Sequence, residues 1–143
     1  MLRLAKLLPK KIFGMIGLAP APDFPKVLLW DKMSKNQKRS LIKNKKISIH
    51  NGFSENNFSY KFIKDSFKNL VLSEDLNFNG PVYLYHGMAD TDVPYDLSIE
   101  ITKIISGTKS VNLLLDKNAG HRLSEDNQLS MIINILEKVS NQG

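Results

Sequence analysis

The sequence predicts an α/β fold, a mostly parallel sheet flanked by helices. Three observations lead to it. Residues 12–19, "IFGMIGLA", are apolar on both faces, as a central strand covered by helices on each side would be. Residues 81–85 and 110–115 read as two further strands. Residues 94–106 and 125–139 repeat apolar side chains at helical spacing. Strand and helix therefore alternate, which argues for parallel pairing through right-handed crossovers.

Each element has its own signal. Leu2, Leu4, Ala5, Leu7 and Leu8 suggest the tail of a buried helix, closed by Pro9 and two lysines. "APAPDFP" at 19–25 is a loop, because its prolines cannot pair in a sheet. A helix is expected over 27–46, with Leu28, Leu29, Met33, Leu41 and Ile42 apolar. Residues 47–50 alternate like a short strand, ended by Asn51-Gly52. Tyr60, Phe62, Ile63, Phe67, Leu70 and Val71 mark a helix over 60–72, and 73–80 reads as a polar loop. The helix over 94–106 carries Leu97, Ile99, Ile101, Ile104 and Ile105. In the closing helix Leu129, Ile132, Ile133, Leu136 and Val139 are the expected inner face.

The bulk numbers narrow the function. A chain of 143 residues, 42% hydrophobic, suffices for one globular domain with a real core. It has no cysteine, which removes disulfides, thiolate metal sites and cysteine nucleophiles. That suits a reducing compartment, and the cytoplasm is the expected location. The net charge of +6 raises nucleic-acid binding as a possibility. Yet Arg3, Arg39 and Arg122 are the only arginines, and bidentate phosphate and guanine contacts favour arginine. The densest basic stretch, 35–46, holds no aromatic and reads as a solvated helix face. No nucleic-acid partner is expected. The basic, apolar start "MLRLAKLLPKK" lacks the serines of a transit peptide and a signal-peptide cleavage site. No apolar run approaches the roughly 18 residues of a membrane span, so none is expected.

Ligands of such sheets bind outside the carboxyl ends of the strands. "HGMADTDVP" (86–94) follows the second strand, and "DKNAGHR" (116–122) follows the third, so both loops open on one edge. Asp90 and His121 lie one helix plus one strand apart, as adjacent loops require. A carboxylate that accepts a hydrogen bond from a histidine ring fixes its tautomer and stabilises the imidazolium. The other ring nitrogen is then a general base for a hydroxyl nucleophile. Spacing alone leaves open the plainer alternative of a turn acid and a loop histidine.

"HGMADTDVP" resembles the H-G-x-x-D-x-x-V-P segment that supplies the triad acid in α/β-hydrolase-fold enzymes, and "AGHRLSED" resembles the G-H segment that supplies the triad histidine. The resemblance covers most of the chain and corresponds to the C-terminal half of that fold. It assigns Asp90 and His121 as the catalytic acid and base. It leaves Asp92 as a surface acid near the start of the next helix. "GLAPAPDF" and a brief helical stretch resemble the small alpha/beta-hydrolase-domain proteins of mitochondria and their bacterial relatives, which are acyl-protein thioesterases and carboxylic-ester hydrolases. The resemblance implies one truncated domain over 1–143, with a cap-like insertion over about 26–75. It implies a serine hydrolase for a small acyl ester or thioester, with no metal or organic cofactor.

The nucleophile of this fold belongs in G-x-S-x-G at a strand-to-helix turn, and the chain has no such motif. The nearest, "GFSEN" at 52–56, has Asn56 where the closing glycine should be, so Ser54 is not the expected nucleophile. The elbow is expected within about ten residues before Met1, at the start of the helix whose tail Met1 to Leu8 form. An unpaired apolar sheet edge would then invite the missing N-terminal half, or a second copy, as partner. The alternative is a non-catalytic hydrolase fragment that acts as a binding or interaction module. His50 and Tyr95 have no catalytic or metal partner by spacing, and Phe24 and Trp30 are expected in cap packing.

Overall fold

The computed structural model describes residues 1–50 and 55–141. Ser54 and the Asn51-Gly52 turn lie outside them. The chain divides into two compact units, one of Met1–Pro22 with Val71–Gly143 and one of Asp23–Leu70.

The first unit opens with α1 (Leu2–Leu7), which buries Leu2 and Ala5, and a 3-10 turn at Pro9–Lys11. β1 (Met15–Leu18) follows.

The chain then builds the second unit. Pro25–Trp30 winds in wide π-type turns, in which the Asp31 N–H reaches the Lys26 carbonyl at 2.8 Å. α2 (Lys35–Asn44) begins afresh, where one continuous helix over 27–46 was expected. The break sits at Ser34, whose hydroxyl accepts the Gln37 N–H while the Gln37 side chain accepts the Ser34 N–H. That capping box satisfies the donors of a new helix start. β2 (Lys46–His50) pairs antiparallel with β3 (Glu55–Ser59). "ENNFS" carries little strand propensity, and the ladder to β2 imposes the extended form. α3 (Tyr60–Ser66) is capped by the Ser59 hydroxyl and relaxes into a 3-10 turn, Phe67–Asn69, short of the expected 72. Met33, Leu41 and Ile63 form this unit's core. Phe24 packs on Phe62 with ring centroids 5.9 Å apart, and Trp30 meets Phe67 edge-on at 5.7 Å.

The first unit resumes with β4 (Leu76–Asn77), β5 (Val82–Gly87), α4 (Asp96–Ile104), β6 (Ile105–Ser106), β7 (Val111–Asp116) and α5 (Asp126–Ser140). β1, β5 and β7 make a parallel sheet in that order, with Met15 opposite Val82 and Val82 opposite Val111. β5 is therefore the central strand. Val82, Leu84, Tyr85 and His86 are all essentially buried, as its apolar run requires.

Among the described residues β1 pairs only with β5, and Leu18 is exposed. Two expectations need correcting. Residues 73–80 are not simply a polar loop. β4 pairs with β6, and Phe78 is fully buried, its N–H bonded to the Ser106 carbonyl at 2.8 Å. The inner face of α5 is also rotated. Gln128 and Ile135 are buried and Ile132 packs inward, while Leu129, Ile133 and Leu136 lie exposed. The helix carries a wider apolar stripe than its contact with the sheet uses, so period alone left the phase undetermined.

The main core joins Leu2, Ala5, Met15, Leu76, Phe78, Val82, Leu84 and Ile101. A second cluster of Ala19, Tyr85, Ala119, Leu123 and Ile135 lies behind the loop that follows β7. It anchors the base of that loop between buried side chains.

Candidate active site

β5 and β7 run parallel and end side by side, with Gly87 opposite Asp116. The loops after them are laced together. The Met88 N–H donates to the Asp116 carbonyl at 2.7 Å, and the Ala89 N–H donates to the Ala119 carbonyl at 3.0 Å. Gly87 makes this approach possible. A Cβ there would stand 2.1 Å from the Ala119 oxygen, a backbone atom that no rotamer change can move. Gly120, by contrast, has open space around the position of its missing Cβ.

The lacing brings Asp90 and His121 together. His121 Nδ1 lies 2.8 Å from Asp90 Oδ2. The Asp90 carboxylate is fully buried, while the His121 side chain is 40% exposed. The nitrogen bonded to the carboxylate donates, so Nε2 of a neutral ring carries a lone pair. Among the described residues Nε2 has no hydrogen-bond partner.

Asp90 is held by four hydrogen bonds, as many as a carboxylate comfortably accepts. Oδ1 accepts the N–H groups of Asp92 at 2.9 Å and Val93 at 2.8 Å. Oδ2 accepts from His121 and from His86 Nε2, the latter at 3.1 Å. Burial alone would push the carboxyl group up. The Val93 N–H, the His121 ring, the Asp92 N–H and the His121 charge together outweigh it and hold Asp90 below its ordinary value. A depressed acid contributes stability above its unfolded pKa and loses it as pH falls through the folded one. The urea midpoint is therefore expected to drop on acidification below about pH 4. An Asp90→Asn chain, measured over the same range, should lack that part of the decline.

The other residues singled out in the sequence fall as follows. Asp92 is exposed and serves the turn through its backbone N–H. The acid in the first turn of α4 is Asp96 rather than Asp92. Val93 is buried and holds the loop at both ends, its N–H on Asp90 and its carbonyl 3.0 Å from His86 Nε2. Tyr95 stands at the N-cap position of α4. Tyr85 closes the floor beneath the loops, its hydroxyl 3.0 Å from Asp116 Oδ2. Burial first, then the bond to Asp116 and its charge, push that phenol up to about 12, so it stays a neutral donor. Asp90, Asp92 and His121 each offer one ligand atom, all within 4.8 Å of one another. Both Asp90 oxygens are already engaged, which suits a hydrogen-bonded pair better than a cation cage.

Sequence reasoning passed over His86, Ser98 and the role of Gly87. His86 and Ser98 are fully buried and bonded to each other, and His86 continues to Asp90. The available signal was a histidine at the end of a buried strand, four residues before the acid.

No family model matches the chain. It is similar to the palmitoyl-protein thioesterase ABHD10, mitochondrial, of Homo sapiens, with 27% identity over 98% of this chain and 47% of the relative. The Rattus norvegicus counterpart is 25% identical over 98% of this chain and 49% of its own length. The chain thus spans about half the length of the curated relatives it matches. Among solved structures it is similar to a putative hydrolase from Agrobacterium vitis S4, with a TM-score of 0.86 and 25% identity over 96% of this chain and 57% of that one. Mouse alpha/beta hydrolase domain-containing protein 10 gives a TM-score of 0.88 at 22% identity, over 99% of this chain and 57% of the other. The architecture is a partial α/β-hydrolase fold.

Proposed function

We propose that this chain carries the acid and base of a serine hydrolase acting on carboxylic esters or thioesters, and that the nucleophile comes from outside its 143 residues. The observation that carries the reading is the Asp90–His121 pair. Its carboxylate is buried and fully bonded, and the His121 side chain that it holds is exposed. In this reading His121 Nε2 takes the proton of a serine hydroxyl as the oxygen attacks the acyl carbon, then passes it to the leaving alcohol or thiol. Asp90 holds the ring and stabilises its charged form. Water then hydrolyses the acyl-enzyme by the same route. Names among the relatives support the substrate class, since the ABHD10 proteins are palmitoyl-protein thioesterases and another neighbour is a ferulic-acid-bound Est1E. The cap-like insertion of such an enzyme is read over about residues 26–75, most of which belong to the compact unit Asp23–Leu70.

A fluorophosphonate probe tests the reading in two steps. The 143-residue chain should not be labelled, at Ser54 or elsewhere. The same chain produced with the coding sequence upstream of Met1 should be labelled at a serine within G-x-S-x-G and should hydrolyse acyl esters or thioesters. Labelling at Ser54 would overturn the external nucleophile. An extended product with neither labelling nor hydrolysis would favour the non-catalytic binding module instead.

A further inference from the structure

We infer that Ser98 and His86 are positioning residues that orient Asp90 toward His121, so that the relay has four members, Ser98–His86–Asp90–His121. This deepens the proposed function and rests on reading Asp90–His121 as its acid and base.

The bonding directions are determined by the chemistry of the partners. His86 Nε2 lies 3.1 Å from Asp90 Oδ2 and 3.0 Å from the Val93 carbonyl. Both are acceptors, so a bare Nε2 would face two oxygens with no proton between. Nε2 must therefore carry the hydrogen. In the neutral ring Nδ1 is then an acceptor, and its neighbour is the Ser98 hydroxyl at 2.6 Å. Ser98 donates to Nδ1 and so holds the ring in the plane in which Nε2–H meets Asp90. Both residues are fully buried, so water does not compete for these bonds.

The geometry has a reason. The two backbone N–H groups that hold Oδ1 leave Oδ2 free to swing about them. The buried His86 bonds the same Oδ2 as the exposed His121, and so fixes where the second oxygen points. Removing the Ser98 hydroxyl leaves Nδ1 without its donor, so the His86 ring loses the bond that fixes its plane and can turn Nε2–H away from Oδ2 toward the Val93 carbonyl. The carboxylate would then turn, and the His121 bond would lengthen.

The test reads the reactivity of His121 rather than turnover. Diethyl pyrocarbonate modifies only the neutral His121 ring, so rates are compared on the alkaline plateau of the pH profile, where they are set by how strongly Asp90 draws on the Nδ1 proton, and peptide mass spectrometry reads the site. Ser98→Ala should slow modification of His121 about fivefold, the factor of one lost hydrogen bond. Asp90→Asn sets the floor. Ser98→Cys, near in size with a weak donor, should fall between wild type and Ser98→Ala. A merely structural role has the opposite sign, because a loosened loop exposes His121 and speeds its modification. An unchanged or faster rate in a folded Ser98→Ala chain overturns the inference. Should that variant not fold, the unmutated chain decides. Its 15N-histidine spectrum at pH 7 should show His86 protonated at Nε2 and bare at Nδ1, and the reverse tautomer overturns the proposal. An extended protein that fails to hydrolyse any ester would defeat the catalytic reading while leaving these rates intact. Unchanged rates with hydrolysis present would defeat only the relay.

Discussion

A Gly87→Ala chain is expected to lose about 3 kcal/mol of stability, the upper part of the range for forced overpacking. The added Cβ would meet the Ala119 oxygen at 2.1 Å, the Ala119 carbonyl carbon at 2.5 Å and the Gly120 oxygen at 2.8 Å. All three are backbone atoms of the loop that carries His121, so relief requires moving the loop itself. The hydrogen bond from Ala89 N–H to the Ala119 carbonyl would stretch with it. His121 would then shift away from Asp90. In a protein that also contains the nucleophile, hydrolysis should fall about 100-fold, the scale of a misplacement near 1 Å. Gly120→Ala is the control. Its Cβ would enter open space, so its urea midpoint should stay within about 0.5 kcal/mol of wild type. Equal destabilisation by the two substitutions would contradict this account of the loop.

Asp90→Asn should separate stability from chemistry. The amide keeps one acceptor oxygen but turns an NH2 group toward donors. Either the Asp92 and Val93 N–H groups or the His86 and His121 rings would face it. The expected cost is about 2 kcal/mol, within the range for a buried polar group left unmatched. The expected loss of hydrolysis in the nucleophile-bearing protein is far larger, about 10⁴-fold in kcat, because the ring loses both its tautomer and the charge that stabilises its protonated form. Denaturant unfolding and ester turnover, measured on the same variant, read the two effects. A loss of turnover no greater than that of a surface substitution such as Asp92→Asn would remove Asp90 from the reaction.

These two substitutions mark what a linear reading reaches. The alternation of strand and helix, the central burial of "VYLY", and the loops carrying Asp90 and His121 were legible because each depends on local period or on strand-end position. Segments whose conformation is imposed from elsewhere were not. β3 is extended because β2 pairs with it, and Phe78 is buried because β4 meets β6. The inward phase of α5 follows from where the sheet lies, not from its apolar count. His86 was hidden for the same reason. Its partner Ser98 is twelve residues away on a helix whose buried face the period suggested only loosely.

By itself the sequence determined an α/β chain with an acid and a histidine at the ends of neighbouring strands, and no G-x-S-x-G serine among its residues. Periodicity and motif spacing carry that much, since both are properties of the covalent chain. Only the tertiary structure decided that the Asp90 carboxylate is buried and accepts four hydrogen bonds, and that an exposed His121 meets it at 2.8 Å. It also decided that Gly87 is required by the backbone of another loop. Hydrogen bonding and close contact depend on distances through space, and those come into being only when β5 and β7 lie side by side.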